Sequence, residues 1–572
     1  MLELAPARVD VERRADGAVV LRSPVKLGAY ARCVGDWLVA WAARAPERTF
    51  LAERAGDAFR ETSYAAALEA VRRAARGLLE RGLGPDKPLA ILSDNAVEAG
   101  LLALAAQHVG VPVAPISPAY SLLSKDFAKL RAVFAALRPG LVYAAQPAKF
   151  GAALEAVGAR ATPFDELASE PAHARVDAAF ASIGPDTVAK ILFTSGSTDT
   201  PKGVVNTQRM LCASQEALAL GWPFVERAPP VLVDWLPWNH TFGGNHNFNL
   251  VLRSGGSLYV DGGKPAPALV EITAANLRLV SPTIYFNVPR GFDLLLPLLE
   301  ADASLAAAFF RRLDAAFYAA AALPQNLWQR LEGLARVHGL PRFMMLSAWG
   351  ATETSPLATQ VHFSIPRAGV VGLPVAGCDI KLVPSADKFE ARVRGPNVTP
   401  GYLGPRELTE RAFDDEGFYK TGDAMRFADD AAPEKGLVFD GRIAEDFKLT
   451  TGTWVMCGAV RTRLIAACDP FVQDAVITGH DRDEIGALVF LTPAGASVSP
   501  VELRARLEAA LDALAKEPGG SSTCPRRLRV QREPPSLDAG EITDKGYVNQ
   551  RVVRERRAAE IDRLYAQRDR IG

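Results

Sequence analysis

The most informative stretch of this sequence reads Ile191-Leu-Phe-Thr-Ser-Gly-Ser-Thr-Asp-Thr-Pro-Lys-Gly-Val204. It begins as an apolar run typical of a buried strand and continues as a loop of small and hydroxylated residues. Small residues let backbone N–H groups approach an anion closely, hydroxyl groups add donors, and a lysine adds a compact positive charge. The stretch therefore predicts a polyphosphate site. Its candidate binding residues are Thr194, Ser195, Gly196, Ser197, Thr198 and Lys202.

The lysine of this loop does not stand in the context of a P-loop. Pro201 and Gly203 flank Lys202, and no serine or threonine follows the lysine, so a P-loop NTPase is disfavoured. The remaining alternative is a flexible polar surface loop without a ligand. The segment on its own leaves that alternative open.

Outward from this stretch, apolar positions alternate between helical spacing and short continuous runs. Such alternation indicates helices that connect buried parallel strands. We predict helices over 63–79, 95–108, 127–137, 266–277 and 324–338, and strands over 88–92, 111–116, 141–144, 283–286 and 343–348. The pattern favours an α/β fold built from doubly wound sheets.

The pattern changes twice towards the C-terminus. Near Gly369 it becomes a series of short strands separated by Gly, Pro and Asp turns, which predicts a small β subdomain over about 369–441. After residue 441 helices and strands mix again, including an amphipathic helix capped by Ser499. We therefore predict a large N-terminal domain over 1–441 and a small α+β C-terminal domain over 442–572.

Length and composition exclude several classes of protein. The 572 residues, 49% hydrophobic and 23% charged, can bury a sizeable core, which argues against a small stapled scaffold, a fibrous protein and a disordered chain. The 65 basic and 65 acidic side chains cancel. This balance gives no indication of a nucleic-acid or membrane-surface partner and favours a small-molecule partner.

Cysteine usage and the apolar runs predict a cytoplasmic protein. The six cysteines form no C-x-x-C pair and no zinc spacing, which argues against a disulfide framework and a structural metal. The start of the chain has no secretory signal, and no run reaches the ~18 apolar residues of a membrane helix.

Two further segments contain residue types suited to a nucleotide. Ala348-Trp-Gly-Ala-Thr-Glu-Thr-Ser355 offers a flat ring for stacking, a hydroxyl donor and a carboxylate that can hold Mg²⁺. Gly417-Phe-Tyr-Lys-Thr-Gly-Asp423 precedes the pair Gly441-Arg442, and a carboxylate with an arginine fork can hold ribose hydroxyls or phosphate oxygens. Taken singly, a helix N-terminus and a Gly-Asp turn would explain the same residues.

The order of these three segments resembles that of the adenylate-forming superfamily, which comprises acyl-CoA synthetases, peptide-synthetase adenylation domains and beetle luciferases. The loop is similar to the family's signature, with Asp199 where the family usually has glycine. An acidic group beside a triphosphate weakens binding unless it points to solvent or pairs with a neighbour. The resemblance covers residues 36–556, nearly the whole chain, and implies a mobile C-terminal domain.

The resemblance implies roles for individual residues. Thr352 would contact the α-phosphate, Glu353 would hold Mg²⁺, and Trp349 would form part of the pocket wall beside nucleotide and acyl group. Asp423 and Arg442 would bind the ribose. The implied catalytic residues are Lys202, Thr352, His240 and Lys545.

Two of these assignments come from additional segments. Pro237-Trp-Asn-His-Thr-Phe-Gly-Gly244 resembles the P-x-x-H segment of acyl-CoA synthetases, in which His240 would orient the substrate carboxylate. Lys545 is the candidate for the family's C-terminal lysine, although it could instead be a solvated lysine of a charged tail. Near the boundary the chain has Ala444 where the family usually places a hinge Asp or Lys, so the hinge residue stays open.

Resemblance to the long feruloyl-CoA synthetases is strongest in 441–455 and 541–550. It implies an ATP-dependent carboxylic acid–CoA ligase that acts through an acyl-adenylate on a hydroxycinnamate such as ferulate or 4-coumarate. The alternatives are an aryl or fatty acyl-AMP ligase with another acceptor, and a homologue that binds adenylates without catalysis. We expect ATP, Mg²⁺ and CoA as cofactors or co-substrates, and a monomer or homodimer. Candidate acyl-pocket residues are His240, Phe242, Phe286, Ala320 and Trp349, with Asn245, His246 and Asn247 as possible partners of a ring hydroxyl.

Overall fold

The architecture was obtained as a computed structural model. It describes residues 2–194, 200–321, 323–340, 343–385, 388–517, 520, 522–544 and 546–572. Within these ranges, none of the helices combines the length and apolar character needed to cross a membrane.

Strands occur along the whole chain. They are β1 (Asp10–Arg13), β2 (Val19–Arg22), β3 (Thr49–Ala55), β4 (Ala58–Ser63), β5 (Leu89–Leu92), β6 (Val113–Ile116), β7 (Leu141–Ala144), β8 (Val188–Thr194), β9 (Lys202–Thr207), β10 (Val231–Asp234), β11 (Ser257–Val260), β12 (Ile284–Asn287), β13 (Ala315–Tyr318), β14 (Met344–Gly350), β15 (Leu357–Gln360), β16 (Val370–Pro374), β17 (Asp379–Ser385), β18 (Lys388–Arg394), β19 (Tyr419–Phe427), β20 (Leu437–Arg442), β21 (Phe447–Lys448), β22 (Trp454–Val455), β23 (Val472–Thr478), β24 (Gly486–Leu491) and β25 (Arg527–Gln531).

Helices connect most of these strands. They are α1 (Val34–Arg44), α2 (Tyr64–Glu80), α3 (Val97–His108), α4 (Pro118–Leu122), α5 (Ala128–Leu137), α6 (Gly151–Ala156), α7 (Phe164–Leu167), α8 (Ala174–Ser182), α9 (Gln208–Gly221), α10 (Phe224–Arg227), α11 (Phe248–Ser254), α12 (Pro267–Leu279), α13 (Pro289–Ala301), α14 (Ala303–Phe310), α15 (Gln325–Val337), α16 (Arg406–Glu410), α17 (Cys457–Ala467), α18 (Pro493–Ser497), α19 (Pro500–Lys516), α20 (Gln550–Arg556) and α21 (Ala558–Ala566). A π-helix over Phe242–Asn247 leads into α11.

The first α/β sheet carries the quoted loop at one of its hairpins. Its strand order is β7-β5-β6-β8-β9, with β7, β5, β6 and β8 parallel and β9 antiparallel to β8. Thr194, the last residue of β8, is the cross-strand partner of Lys202, the first residue of β9. The hairpin therefore holds the two ends of the loop side by side.

The predicted helices and strands form close to their expected positions. The segment predicted as a helix over 63–79 is α2, in which the Ser63 hydroxyl accepts a hydrogen bond from the Ala66 N–H at 3.3 Å. The Ser499 hydroxyl caps α19 in the same way. The mixed α/β fold, with a large N-terminal and a smaller C-terminal part, is confirmed.

The strands predicted for the β subdomain do form, but they do not make a separate sheet. They belong to an eleven-stranded sheet of order β1-β2-β17-β18-β19-β20-β16-β15-β14-β13-β12. β15 pairs antiparallel with both β14 and β16, so it joins the parallel strands β12–β14 to the antiparallel ones. The short-strand pattern near residue 369 indicated strands but not their partners, which is why the continuity was missed.

The C-terminal part has a core of its own. One cluster of buried apolar residues draws on residues 447–571 and packs α17 and α19 against the sheet β23-β24-β25. The main N-terminal cluster draws on residues 19–438. The domain boundary at 441/442 stays a prediction, and the separation of the two clusters supports it.

Candidate active site

A cleft of about 3900 Å³ runs between the sheet edges of the N-terminal part and the C-terminal part. Eleven sequence-predicted site residues line it, which brings the three motif segments into one site. They are Thr194, Lys202, His240, Phe242, His246, Ala320, Trp349, Thr352, Glu353, Asp423 and Arg442.

Some predicted residues lie outside the described residues. They are Ser195, Gly196, Ser197, Thr198 and Lys545, together with Asp199. Residues next to these gaps line the cleft, namely Thr194, Thr200, Asp544 and Gly546.

The charged groups predicted to meet the phosphates are linked through a tyrosine that the sequence analysis missed. The Lys202 ammonium lies 5.7 Å from the centre of the Tyr402 ring. The Tyr402 hydroxyl donates a hydrogen bond to Glu353 Oε1 at 2.8 Å. Burial and the Glu353 carboxylate raise the pKa of Tyr402, so the phenol remains a neutral donor. Tyr402 thereby connects the predicted phosphate-binding cation to the predicted metal-binding carboxylate.

Thr352 and Glu353 follow directly after β14, in a short 3₁₀ turn at the end of the strand. Both side chains are almost buried, and the Thr399 N–H donates to the Glu353 backbone carbonyl at 2.8 Å. No cluster of three or more His, Cys, Asp or Glu suited to a metal occurs in the described ranges. A single carboxylate fits Mg²⁺ bound together with substrate phosphates, because Mg²⁺ commonly takes one or two carboxylates and completes its shell with phosphates and water.

Trp349, Asp423 and Arg442 form one connected group. The Trp349 indole N–H donates to Asp423 Oδ2 at 2.8 Å, and Arg442 Nε lies 3.3 Å from Asp423 Oδ1. Burial raises the pKa of Asp423, and the Arg442 charge opposes that rise. Asp423 Oδ1 makes no hydrogen bond to another described residue. A buried acceptor at the cleft wall suits a ribose hydroxyl, which is the role that the motif predicts.

The part of the cleft predicted to bind the acyl group is lined by residues of the π-helix over Phe242–Asn247. Two glycines allow this helix to lie close to the chain that precedes it. A Cβ on Gly243 would lie 2.2 Å from the Leu236 carbonyl oxygen, and a Cβ on Gly244 would lie 2.2 Å from the Trp238 carbonyl oxygen. Single-turn π-helices are often found at functional sites. Here the close packing turns Phe242 and His246 towards the cleft.

The pocket wall differs in part from the prediction. Phe242 and Phe317 line the cleft with ring centres 5.5 Å apart. Phe286, predicted as a wall residue, is not among the residues that line the cleft and packs against His246 with ring centres 5.4 Å apart. Ala320 does lie at the wall, with a φ of +75°, a left-handed conformation that is strained for alanine.

A buried lysine that the sequence analysis missed hydrogen-bonds to the π-helix. Lys190, on β8, is 5% exposed and donates to the Gly244 carbonyl at 2.7 Å and to Asn245 Oδ1 at 3.1 Å. Both acceptors are uncharged, and burial lowers the pKa of Lys190 to about 7. The signal available in the sequence was a lysine inside the apolar run that precedes the loop.

The segment proposed as the hinge is anchored to the β strands. Asp446 lies 2.5 Å from the Lys388 ammonium and accepts a hydrogen bond from the Cys457 N–H at 2.9 Å. Ala444 and Glu445 line the cleft instead. Asp446 is therefore bonded to residues on both sides of the predicted boundary, Lys388 and Cys457.

A second contact joins the two parts of the chain through residues 537–538, a few positions before Lys545 in the sequence. Asp538 accepts hydrogen bonds from the Ser124 hydroxyl at 2.6 Å and from the Lys125 N–H at 2.9 Å. The Lys129 ammonium also donates to the carbonyl of Leu537. These bonds hold residues 537–538 against the N-terminal part.

Comparison with known proteins agrees with this geometry. The chain matches the family model of the AMP-binding enzymes over residues 38–403 and that of their C-terminal domain over 448–569. A Mycobacterium tuberculosis CoA ligase, named for a propanoyl acid carrying a dioxo-octahydroindene ring system, is 27% identical over 501 residues, 83% of this chain and 91% of the relative. A long-chain-fatty-acid–CoA ligase of Mycobacterium bovis is 26% identical over 88% of this chain and 92% of its own length.

A solved structure gives the same fold. The anthranilate CoA ligase AuaEII in complex with anthranoyl-AMP superposes with a TM-score of 0.75 at 18% identity, covering 94% of this chain and 99% of the other. The family models match most of the chain, the motifs occur in the family's order, and residues of all three motif segments line one cleft. These findings lead to one assignment. The chain belongs to the AMP-binding enzyme family and is an AMP-forming acid–thiol ligase.

Proposed function

We propose that this enzyme converts a hydroxycinnamate, such as ferulate or 4-coumarate, into its CoA thioester through an acyl-adenylate. The observation that carries the choice of acid is the aromatic wall of the acyl side. Phe242 and Phe317 line the cleft with their rings tilted against each other, and His240, which is partly exposed, lines it as well. Stacked or edge-on contacts with flat rings favour a planar acyl group.

In the first half-reaction a carboxylate oxygen attacks the α-phosphorus of ATP, and pyrophosphate leaves. Lys202 binds the phosphates by charge, Thr352 donates to the α-phosphate, and Asp423 binds the ribose. Mg²⁺ bound at Glu353 would neutralise negative charge on the phosphates. His240 orients the substrate carboxylate. Lys545 would stabilise the charge that develops between carboxylate and phosphate, a role that rests on the family resemblance alone.

In the second half-reaction the CoA thiol loses its proton and its sulfur attacks the acyl carbonyl carbon. The bond between that carbon and the phosphate oxygen breaks, and AMP leaves. We propose that the C-terminal domain first turns about the Arg442–Asp446 segment, which removes Lys545 from the site. Enzymes of this kind commonly use such domain movements to complete one site after another.

The relatives leave the acid to be tested, since one is named for long fatty acids and the solved neighbour for anthranilate. The experiment is a panel of acids with ATP, Mg²⁺ and CoA, read for both AMP and thioester. We expect ferulate and 4-coumarate to give the highest kcat/KM, with thioester equal to AMP. Faster turnover of decanoate than of ferulate would overturn the aromatic assignment. Release of AMP without a thioester would overturn CoA as the acceptor.

A further inference from the structure

The ring of His246 is a buried polar group in the proposed acyl pocket. It lines the cleft but is only 1% exposed, whereas His240 at the other end of the segment is partly exposed. Aromatic rings surround it, with ring centres 5.8 Å away for Phe242 and 5.5 Å away for Phe317. His246 is thus a buried polar side chain that lines the cleft among aromatic rings.

Hydrogen bonds behind the ring fix its tautomer. Asp234 accepts a hydrogen bond from the Leu236 N–H at 3.1 Å and another from Asn247 Nδ2 at 3.0 Å. With its amide nitrogen committed to Asp234, Asn247 presents its oxygen to His246 Nδ1 at 2.9 Å. An amide oxygen only accepts, so Nδ1 must carry the proton. His246 Nε2 is therefore left with a lone pair.

Among the polar side-chain atoms of Asn245, His246 and Asn247, only His246 Nε2 is left without a partner among the described residues. Asn245 bonds to Lys190, to Asn206 Oδ1 at 2.8 Å and to the Thr241 hydroxyl at 3.2 Å. Asn247 is occupied as described above. His246 Nε2 is buried and makes no hydrogen bond to a described residue. Buried polar atoms are nearly always paired, so an unpaired acceptor on a residue that lines a substrate pocket indicates a partner on the substrate.

We propose that His246 Nε2 accepts a hydrogen bond from a hydroxyl at the distal end of the acyl group. The substrates are then acids whose carboxylate lies near His240 and whose far end carries an O–H donor. This inference rests on the proposed function, because it identifies the cleft as the acyl pocket. It predicts discrimination by a donor and not merely by size.

Two physical features make the site selective for a neutral donor. Burial lowers the pKa of His246 to about 4, so the ring stays neutral at physiological pH and offers a lone pair in place of a charge. A methoxy oxygen or a carboxylate at the same place would face that lone pair with another acceptor. An acid without a hydroxyl would leave Nε2 unpaired, and sites built around a hydrogen bond reject analogues that lack it.

The test compares matched pairs of acids that differ by one hydroxyl. The aromatic pair is 4-coumarate and cinnamate, and the aliphatic pair is 10-hydroxydecanoate and decanoate. With the full-length enzyme, ATP, Mg²⁺ and CoA, we expect the hydroxylated member of the better pair to have a kcat/KM at least about tenfold higher. In His246→Phe the ratio should fall close to one, because cinnamate gains as 4-coumarate loses. An unchanged ratio in this variant would overturn the proposal.

Two further variants keep the result interpretable. Phe242→Leu alters the wall without touching an acceptor, so it should change both members of a pair alike and preserve their ratio. Asn247→Leu removes the group that fixes the tautomer and should lower the ratio, which provides an answer if His246→Phe does not fold. Discrimination that survives in both His246→Phe and Asn247→Leu would overturn the role of His246.

The two proposals fail in different ways. A higher kcat/KM for the aliphatic pair than for the aromatic pair would overturn the hydroxycinnamate assignment, while a large hydroxyl ratio within that pair would still support His246. Less than a twofold hydroxyl effect in both pairs would overturn the role of His246, even if 4-coumarate and cinnamate are the better substrates.

Discussion

Replacement of Lys190 by methionine is expected to change how the stability of the N-terminal part depends on pH. The lysine is 5% exposed, its pKa is lowered from 10.5 to about 7 by burial, and its two acceptors are uncharged. Because the folded pKa lies below the unfolded one, the unfolded chain binds more protons between these two values. The free energy of unfolding therefore rises with pH through that window.

The magnitude follows from the two pKa values. Each pH unit corresponds to ~1.4 kcal/mol, so burial of the charge destabilises the fold by about 4 kcal/mol at pH 7 and by about 2 kcal/mol at pH 9. Methionine removes this penalty but leaves Gly244 O and Asn245 Oδ1 without their donor, at roughly 1–3 kcal/mol each and independently of pH. The two effects nearly offset each other at pH 7. At pH 9 the lost hydrogen bonds dominate, and the variant is the less stable protein.

Urea unfolding followed by tryptophan fluorescence at pH 7, 8 and 9 measures this difference. Seven of the eight tryptophans precede residue 442, so the signal reports the N-terminal part. We expect the variant to lose about 2 kcal/mol relative to the parent between pH 7 and pH 9. Lys516→Met, which removes an exposed lysine at the end of α19, is the matched control. A difference between Lys190→Met and parent that stays constant over this range would refute the reasoning.

Three other predictions concern the site. Lys202→Ala should raise the KM for ATP at least about tenfold in a folded protein, because one preorganised charge is lost. The control is Lys264→Ala, which removes a cleft lysine paired with Asp94 and should leave the KM for ATP nearly unchanged. Equal KM values for Lys202→Ala and the parent would contradict the phosphate role. Tyr402→Phe should raise the Mg²⁺ concentration needed for half-maximal pyrophosphate release about 10- to 100-fold, because Glu353 loses the hydroxyl that orients it. An unaltered Mg²⁺ titration would show that Tyr402 has no part in binding the metal. Asp538→Ala, which removes the acceptor for Ser124 and Lys125, should slow acyl-adenylate formation on the order of tenfold. Thioester formation from synthetic acyl-AMP and CoA should stay at the parent rate. Equal losses in both half-reactions would argue against a contact specific to the first half-reaction.

The local pattern of the sequence predicts most elements of this fold because the elements are set by local chemistry. The helix capped by Ser63 and the strand that enters the loop at Thr194 need only the apolar spacing and the cap. Strand partners depend on distant residues instead. β17, for example, pairs with β2 through Asp379 and Arg22, more than 350 positions apart. Nothing in the sequence of either strand identifies the other, so the eleven-stranded sheet could not be predicted.

The same distinction applies to the site. Motif residues such as Glu353 and Asp423 were predicted because the chemistry of each is visible in its own segment. The contacts between segments were not visible in this way, since Tyr402, which was missed, bonds to Glu353, and Trp349, which was predicted, bonds to Asp423, each at 2.8 Å.

The charge of Lys190 shows most clearly why such partners escape a sequence analysis. In the sequence it is one lysine within an apolar run, which would ordinarily indicate the exposed face of a strand. The structure instead buries it beneath Gly244 and Asn245, where its ammonium donates to the turn that presents the acyl-pocket residues. Burying a cation without a carboxylate is unfavourable unless its donors are used. Because the two bonds reach from β8 to the π-helix, they join the strand that enters the phosphate loop to the wall of the acyl pocket. Replacing Lys190 should therefore change the KM for the acid as well as the stability of the protein. If Lys190→Met alters the pH dependence of unfolding but leaves the KM for 4-coumarate unchanged, the two hydrogen bonds contribute to stability alone.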